Sequence, residues 1–201
     1  MHEVSSDVSR ETEERLQRFA DLLRKWSSKI NLVSARDIEF LWDRHIRDCL
    51  QLLPLVPQGA TRWVDMGSGG GLPGVVLGCV FADGNGPRMT MIESDQRKAT
   101  FLRTCIRELN LRAEVISERV ERVEPQAGDV VSARALAALP DLLPWVHRHL
   151  APDGVAILPK GRTAASEIAA AQQHWHFDLQ QTASAFGDGS ILVLRDIQRA
   201  A

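Results

Sequence analysis

The chain has 201 residues, 44% of them apolar and 25% charged, the composition of a soluble globular protein with one large domain. Its 24 basic and 26 acidic side chains leave a formal charge of −2. That balance excludes a generally basic nucleic-acid coat but allows a local basic patch.

The N-terminus, MHEVSSDVSRETEERL, is charged and lacks the apolar core of a signal peptide. No window reaches membrane-spanning length, so a cytoplasmic protein is expected. From about Val8 to Lys29, Leu16, Phe19, Leu23, Trp26 and Ile30 recur at helical spacing. A second helical run follows Ser34, with Ile38, Leu41, Trp42, Cys49, Leu50 and Leu53 on one side, until LPLVPQGA breaks the chain. Residues 1–58 are therefore expected to form a helical extension packed on a main domain of residues 59–201.

That domain alternates strand and helix signals. TRWVDMG, RMTMIE, AEVISERV, DVVSARA and GVAILPK read as strands. Between them, LPGVVLGCVF, SDQRKATFLRTCIREL and LPDLLPWVHRHLA read as helices, and TAASEIAAAQQH as a further one, with Ser94 or Asp95 the expected N-cap of the second. WHFDLQQTASAF and SILVLRDI suggest a closing antiparallel pair. The alternation predicts an α/β fold with a mostly parallel, doubly wound sheet, whose ligands bind at the carboxyl ends of the strands. The three cysteines, Cys49, Cys79 and Cys105, are odd in number and far apart. They form neither a disulfide framework nor a metal-ligand set and read as buried hydrophobes in a reducing compartment.

At the edge where ligands bind lies WVDMGSGGGLPGVV, with five glycines between positions 67 and 74. Gly69, Gly71 and Gly74 spell the dinucleotide fingerprint, although a plain strand-to-helix turn would also use glycine. Two neighbours argue against a pyrophosphate: Pro73 lacks an N–H to offer it, and Asp65 would repel it. Both suit a cationic ligand without phosphates, such as S-adenosylmethionine, with Asp65 near its ammonium end and Gly67, Ser68 and Leu72 along its edge. Glu93 closes the second strand, where an acid accepts from both ribose hydroxyls. Val120 and Glu121, at the end of the third strand, flank the place of the adenine.

NLVS (31–34), RHIRDCL (44–50), VDMGSGGGLPG (64–74), IESDQRKATFLR (92–103), SARALAAL (132–139) and LPKG (158–161) follow in that order. Together they resemble the bacterial 16S rRNA (guanine-N7) methyltransferase family RsmG, also called GidB, over about residues 16 to 195. The resemblance implies a class I S-adenosylmethionine-dependent methyltransferase fold, Rossmann-like, with a mostly parallel seven-stranded sheet. It implies methylation of guanine N7 in the 530 loop of 16S rRNA, in the small subunit or an assembly intermediate. It matches Gly67, Leu72, Val120, Glu121 and Arg134 to cofactor-side positions. Leu136 departs from the Arg-Ala-Phe or Arg-Ala-Val stretch of many relatives.

Guanine N7 carries a lone pair and no proton, so no general base is expected. Arg134, Arg119, Lys160 and Arg97 are the candidates for positioning the substrate, with Arg44, His45 and Arg47 on the RNA side. A packing role for His45, bonded to Asp48 or to backbone, is the competing expectation. No metal is expected, and a monomer is the default. A small-molecule methyltransferase with the same cofactor domain is the alternative, although no stretch of the chain is spare for an inserted lid.

Overall fold

The structure, a computed structural model, describes residues 8–84 and 86–200. The first seven residues of the expected extension lie outside that range. Helix α1 (Arg10–Ser27) starts where Ser9 Oγ accepts from Thr12 N, with Glu11 and Glu13 in its first turn and Arg24 and Lys25 in its last. Each charge complements the helix dipole at its end. Its stripe of Leu16, Phe19 and Leu23 is fully buried, worth roughly 2 kcal/mol for each side chain removed from water. Two ion pairs add register: Arg15 grips Asp83 through both guanidinium nitrogens at 2.9 and 2.7 Å, and Arg18 reaches Glu108 at 3.5 Å.

The second helical run is divided. Helix α2 (Ala35–Ile38) is a single turn capped by Ser34, and a π-helical turn over Trp42–Ile46 leads into α3 (Arg47–Leu50). Apolar spacing does not reveal such a turn, because the extra residue shifts the face without changing composition. Ile46 and Leu52 are fully buried, whereas Leu50 and Leu53 are only partly so.

The remaining elements are β1 (Arg62–Met66), α4 (Gly74–Val80), β2 (Arg88–Ile92), α5 (Gln96–Glu108), β3 (Ala113–Ile116) and β4 (Gly128–Ala133). They are followed by α6 (Leu139–His149), β5 (Leu150–Lys160), α7 (Ala164–Ala171), β6 (Trp175–Ala183) and β7 (Ser190–Arg199). One seven-stranded sheet runs in the order β3-β2-β1-β4-β5-β7-β6. Strands β1 to β5 are parallel, and β7 lies antiparallel between β5 and β6. Strand β5 begins at Leu150, earlier than its apolar run suggests, with an irregularity opposite Gly128 and Val130.

Strand pleating divides the core between two faces. Trp63, Met89, Met91, Val130 and Ile157 pack with α1, α4 and α5 on one side. Val64, Met66, Val131, Ala156 and Leu158 pack with α6 on the other. Phe101 of α5 meets Phe19 and Trp26 at ring centroid distances of 6.5 and 5.6 Å. The N-terminal helix is therefore built into the first core. The three cysteines are buried. Desolvation raises all of their pKa values, to about 12 for Cys49 and Cys79, which keeps them protonated and unreactive. Among the described residues no helix is long and apolar enough to cross a membrane.

Candidate functional site

The loop after β1 turns on three glycines in the left-handed region, Gly67 (φ +64°), Gly69 (φ +52°) and Gly71 (φ +79°). Gly67 N and Ser68 N donate to Ile92 O at 2.9 and 3.1 Å, which ties the loop to the end of β2. Glu93 completes that tie: Oε2 accepts from Gly69 N at 2.9 Å and Oε1 from Asp95 N at 2.8 Å. A carboxylate has about four lone-pair sites, so Glu93 keeps acceptor capacity toward the open side.

A cavity of about 520 Å³ opens there, at the carboxyl edge of β1, β2 and β4. Gly67, Ser68, Gly69, Leu72 and Glu93 line one part of it, and Arg119, Val120, Glu121 and Arg134 another. At Gly67 an added Cβ would stand 2.6 Å from Leu136 Cδ1. Leu136 would have to swing aside, and the φ of +64° itself favours glycine there. Leu136 takes this place because Ala135 turns the chain at φ +55°, a conformation rare outside glycine.

Asp65, expected near the ammonium end, does not line this cavity. Pleating sends its side chain to the face covered by α4, where it is 1% exposed. Asp65 Oδ2 accepts from Gly74 N at 3.2 Å, and Oδ1 accepts from Ser132 Oγ at 2.7 Å. Ser132 is its register partner on β4 and in turn accepts from Trp63 Nε1 at 2.8 Å. Desolvation raises the Asp65 pKa to about 6, against the opposing hydrogen bonds from Ser132, Ser68 and Gly74. The carboxylate thus fills the place at the first free N–H of α4 that a phosphate would need, a bonded form of the repulsion expected from sequence. Gly71 also lies behind the wall: a Cβ there would meet Val75 at 2.5 Å.

Arg134, at the end of β4, makes the sharpest junction. Nη1 donates to Asp48 Oδ2 at 3.2 Å and Nη2 to His45 Nδ1 at 3.2 Å. Arginine has only donors, so His45 Nδ1 accepts and its proton sits on Nε2. That Nε2 is buried without a hydrogen-bond partner among the described residues. Burial, and then the charge of Arg134, lower the pKa of His45 and keep it neutral. The bond to Arg134 replaces the expected bond to Asp48 or backbone. The π-helical turn that carries His45 aims it across the chain, and such turns recur at functional sites.

A second cavity of about 490 Å³ shares Asp37, His45, Arg134 and Ala135 with the first. Lys160 lines this second cavity only. Its Nζ is committed to Ala137 O at 2.7 Å and Glu167 Oε2 at 2.9 Å, and the side chain is 8% exposed. Arg97 reaches neither cavity. It is 73% exposed and pairs with Asp95 beside it at 3.4 Å.

Trp145 of α6 and Lys98 of α5 line the first cavity, and both escape a reading of the sequence. Trp145 sits in an apolar helical stripe and Lys98 among surface charges, and only the crossover geometry brings them to the loop. His149 is also hidden. Fully buried, it donates Nε2–H to Val120 O at 3.1 Å and fixes that backbone. Its Nδ1 is buried without a partner among the described residues, and desolvation lowers its pKa.

Residues 12–190 match the model of the GidB family, described as rRNA small subunit methyltransferase G. The chain belongs to this family. The ribosomal RNA small subunit methyltransferase G of Gluconobacter oxydans is 52% identical over 169 residues, covering 84% of this chain and 85% of that one. Its namesake from Acidiphilium cryptum is 47% identical over 212 residues, covering 98% and 96%. Solved structures share the fold at low identity. Cofactor-bound Rv0187 from MTB has a TM-score of 0.60 at 17% identity, over 90% of this chain and 89% of that one. A variant of MtNAS in complex with S-adenosylmethionine has a TM-score of 0.58 at 18% identity, over 92% and 76%. The glycine loop, Glu93 and the Arg134 junction of this GidB-family chain thus stand at one edge of a class I methyltransferase sheet. Among the described residues no group of three or more His, Cys, Asp or Glu is placed to hold a metal ion.

Proposed function

We propose that the protein transfers a methyl group from S-adenosylmethionine to N7 of a guanine in the 530 loop of 16S rRNA, by direct in-line transfer without a general base. Family membership carries the coarser statement, a methyltransferase of small-subunit rRNA. The observation that supports the donor's place in the finer one is the first cavity, about 520 Å³, bordered by the glycine turn and by the Glu93 carboxylate bonded to it.

The residues fit the donor. Gly67, Ser68, Gly69 and Leu72 would border its methionine end. Glu93, with acceptor sites to spare, would take the ribose hydroxyls. Val120 and Glu121, held in place by His149, would border the adenine, with Trp145 beyond them. Bound there, S-adenosylmethionine supplies an electrophilic methyl on a cationic sulfur.

The chain's own groups align and balance charge. Guanine N7 has no proton to lose, and His45, neutral with Nδ1 committed to Arg134, is arranged to hold a partner and not to accept a proton. Arg134 is neutralised by Asp48, so the positive charge that develops on the base meets no net positive wall. Holding two reactants in an attack geometry is worth up to roughly 7–11 kcal/mol, enough to carry a reaction that needs no proton transfer.

The near-neutral chain binds free RNA weakly, since phosphate neutralisation dominates such affinity. The substrate is therefore the structured loop within a small subunit or an assembly intermediate, and the protein acts on it as a monomer in the cytoplasm. The test is mass mapping of 16S rRNA after reaction of purified protein and donor with unmodified small subunits and, separately, with naked 16S RNA. A 7-methylguanosine in the 530 loop, formed faster on subunits, is expected. A methyl on another atom or nucleotide, or faster reaction on naked RNA, overturns the corresponding part.

A further inference from the structure

The second cavity adjoins the first along Asp37, His45, Arg134 and Ala135, and its volume is about 490 Å³. That is within the range of about 300–1,000 Å³ typical of sites that enclose a small ligand. Among the described residues, its one phenyl, phenol or indole ring is that of Phe186, from the loop at 184–189 between β6 and β7.

The backbone of the loop that carries this ring is held by several hydrogen bonds. Ser184 N donates to Gly189 O at 2.9 Å and closes the loop. Ser184 Oγ donates to Asp48 Oδ1 at 3.0 Å and accepts from Gln51 Nε2 and Phe186 N, both at 3.2 Å. Gln51 Oε1 accepts from Ala185 N at 3.0 Å. The hydroxyl thus uses its one donor and both acceptor sites. Gly189 approaches the end of β5 so closely that a Cβ would run into the carbonyl of Lys160. The guanidinium of Arg47 lies over the Phe186 ring, 5.6 Å from its centroid.

Asp48 is the joint of this arrangement. One oxygen holds the loop of Phe186, and the other holds Arg134. The Phe186 loop of the second cavity and the Arg134 side chain that lines both cavities are therefore linked through one carboxylate. The rest of the lining is rich in charged and polar groups, His45, Arg134 and Lys160 among them. A pocket with a phenyl ring on a held loop and a polar rim suits a flat heteroaromatic ring with hydrogen-bonding edges better than an aliphatic or acyl compound. Enzymes that act on a base turn it out of its stack into such a site, between aromatic or apolar side chains.

We infer that the second cavity receives the target base, turned out of the RNA, and that Phe186 is the platform on which it stacks. This rests on the reading that the methyl acceptor is an RNA base. Stacking of a base on an aromatic side chain is worth a factor of about 5 to 150 in binding, and Phe186 touches none of the first cavity.

The experiment compares wild type, Phe186→Leu and Phe186→Trp in single-turnover methylation of small subunits with radiolabelled donor, with donor affinity measured by calorimetry. Phe186→Leu keeps apolar bulk but removes the aromatic face. It is expected to lower the rate at subsaturating subunits about 5- to 150-fold while leaving donor affinity within about threefold. Phe186→Trp restores the rate to within about threefold of wild type. Wild-type rates in Phe186→Leu, or a Phe186→Trp variant as slow as Phe186→Leu, would overturn the platform. The rate is scored on total methyl incorporated, and the position of the methyl by mass mapping. Wild-type methylation at an atom other than guanine N7 therefore fails the functional reading, while the comparison of variants still decides the role of Phe186.

Discussion

Replacing Asp65 by asparagine separates a structural carboxylate from a ligand-binding one. Burial raises the pKa of Asp65 from 3.8 to about 6. Because the folded-state value is the higher one, the folded chain binds more protons than the unfolded chain between those limits. The contribution of Asp65 to stability is therefore fully present below 3.8 and is lost as pH rises through about 6. Once ionised, the buried group costs the folded state about 3 kcal/mol, at about 1.4 kcal/mol per pH unit. Asparagine does not titrate. Its carbonyl still accepts from Gly74 N, and its amide donates to Ser132 Oγ. The Ser132 hydroxyl loses its acceptor, a pH-independent cost of about 1–3 kcal/mol. The stability of Asp65→Asn relative to wild type should therefore rise by about 2 kcal/mol between about pH 4.5 and about pH 8. Urea unfolding at both values reads this directly. A difference that is flat with pH would refute the burial of an ionisable Asp65. Donor affinity supplies the second arm. Loss of a direct hydrogen bond to an ammonium group costs tenfold or more, whereas the geometry here predicts less than about tenfold. A larger loss would return Asp65 to the ligand.

Three further outcomes follow from the same structure. Gly67→Asp should abolish donor binding, weakening it more than about 100-fold, because its side chain would enter the cavity and place a second carboxylate near Glu93. Aspartate tolerates positive φ, so circular dichroism should show a folded protein, and unchanged donor affinity would contradict the site. Arg134→Lys keeps the charge but loses the fork that spans Asp48 and His45; turnover on small subunits should fall about tenfold or more, and wild-type turnover would show that the junction is dispensable. His149 has its pKa lowered in the folded state, so the unfolded chain takes up the proton first and stability falls as pH drops below about 6.5. His149→Gln should flatten that part of the stability profile, and an unchanged slope would assign it to another group.

Much of the architecture is legible because the elements obey simple periods. Trp63 and Asp65 alternate with Val64 and Met66 along β1, and Asp95 marks the start of α5 as its spacing suggests. The glycine loop, Glu93 and the Val120–Glu121 pair are also visible in order along the chain, because each ends or follows a strand. Illegible parts depend on geometry that periodicity does not encode. The direction of Asp65 follows from its pairing with Ser132 on a strand sixty-odd positions away. His45 reaches Arg134 through a π-helical turn. Lys160 reads as a free cation at a strand end until the Ala135–Ala138 segment and Glu167 of α7 are seen to enclose it. Phe186 is one apolar residue in a glycine-rich loop, and that loop is held by Asp48 and Gln51, more than a hundred residues earlier.

A crystal grown with the spent thioether of the donor decides where the cofactor sits. Ligand density bounded by Gly67, Glu93 and Val120 is the expected result, with the sulfur directed at the Arg134 wall. Density in the cavity beside Phe186, or away from both cavities, would contradict the assignment.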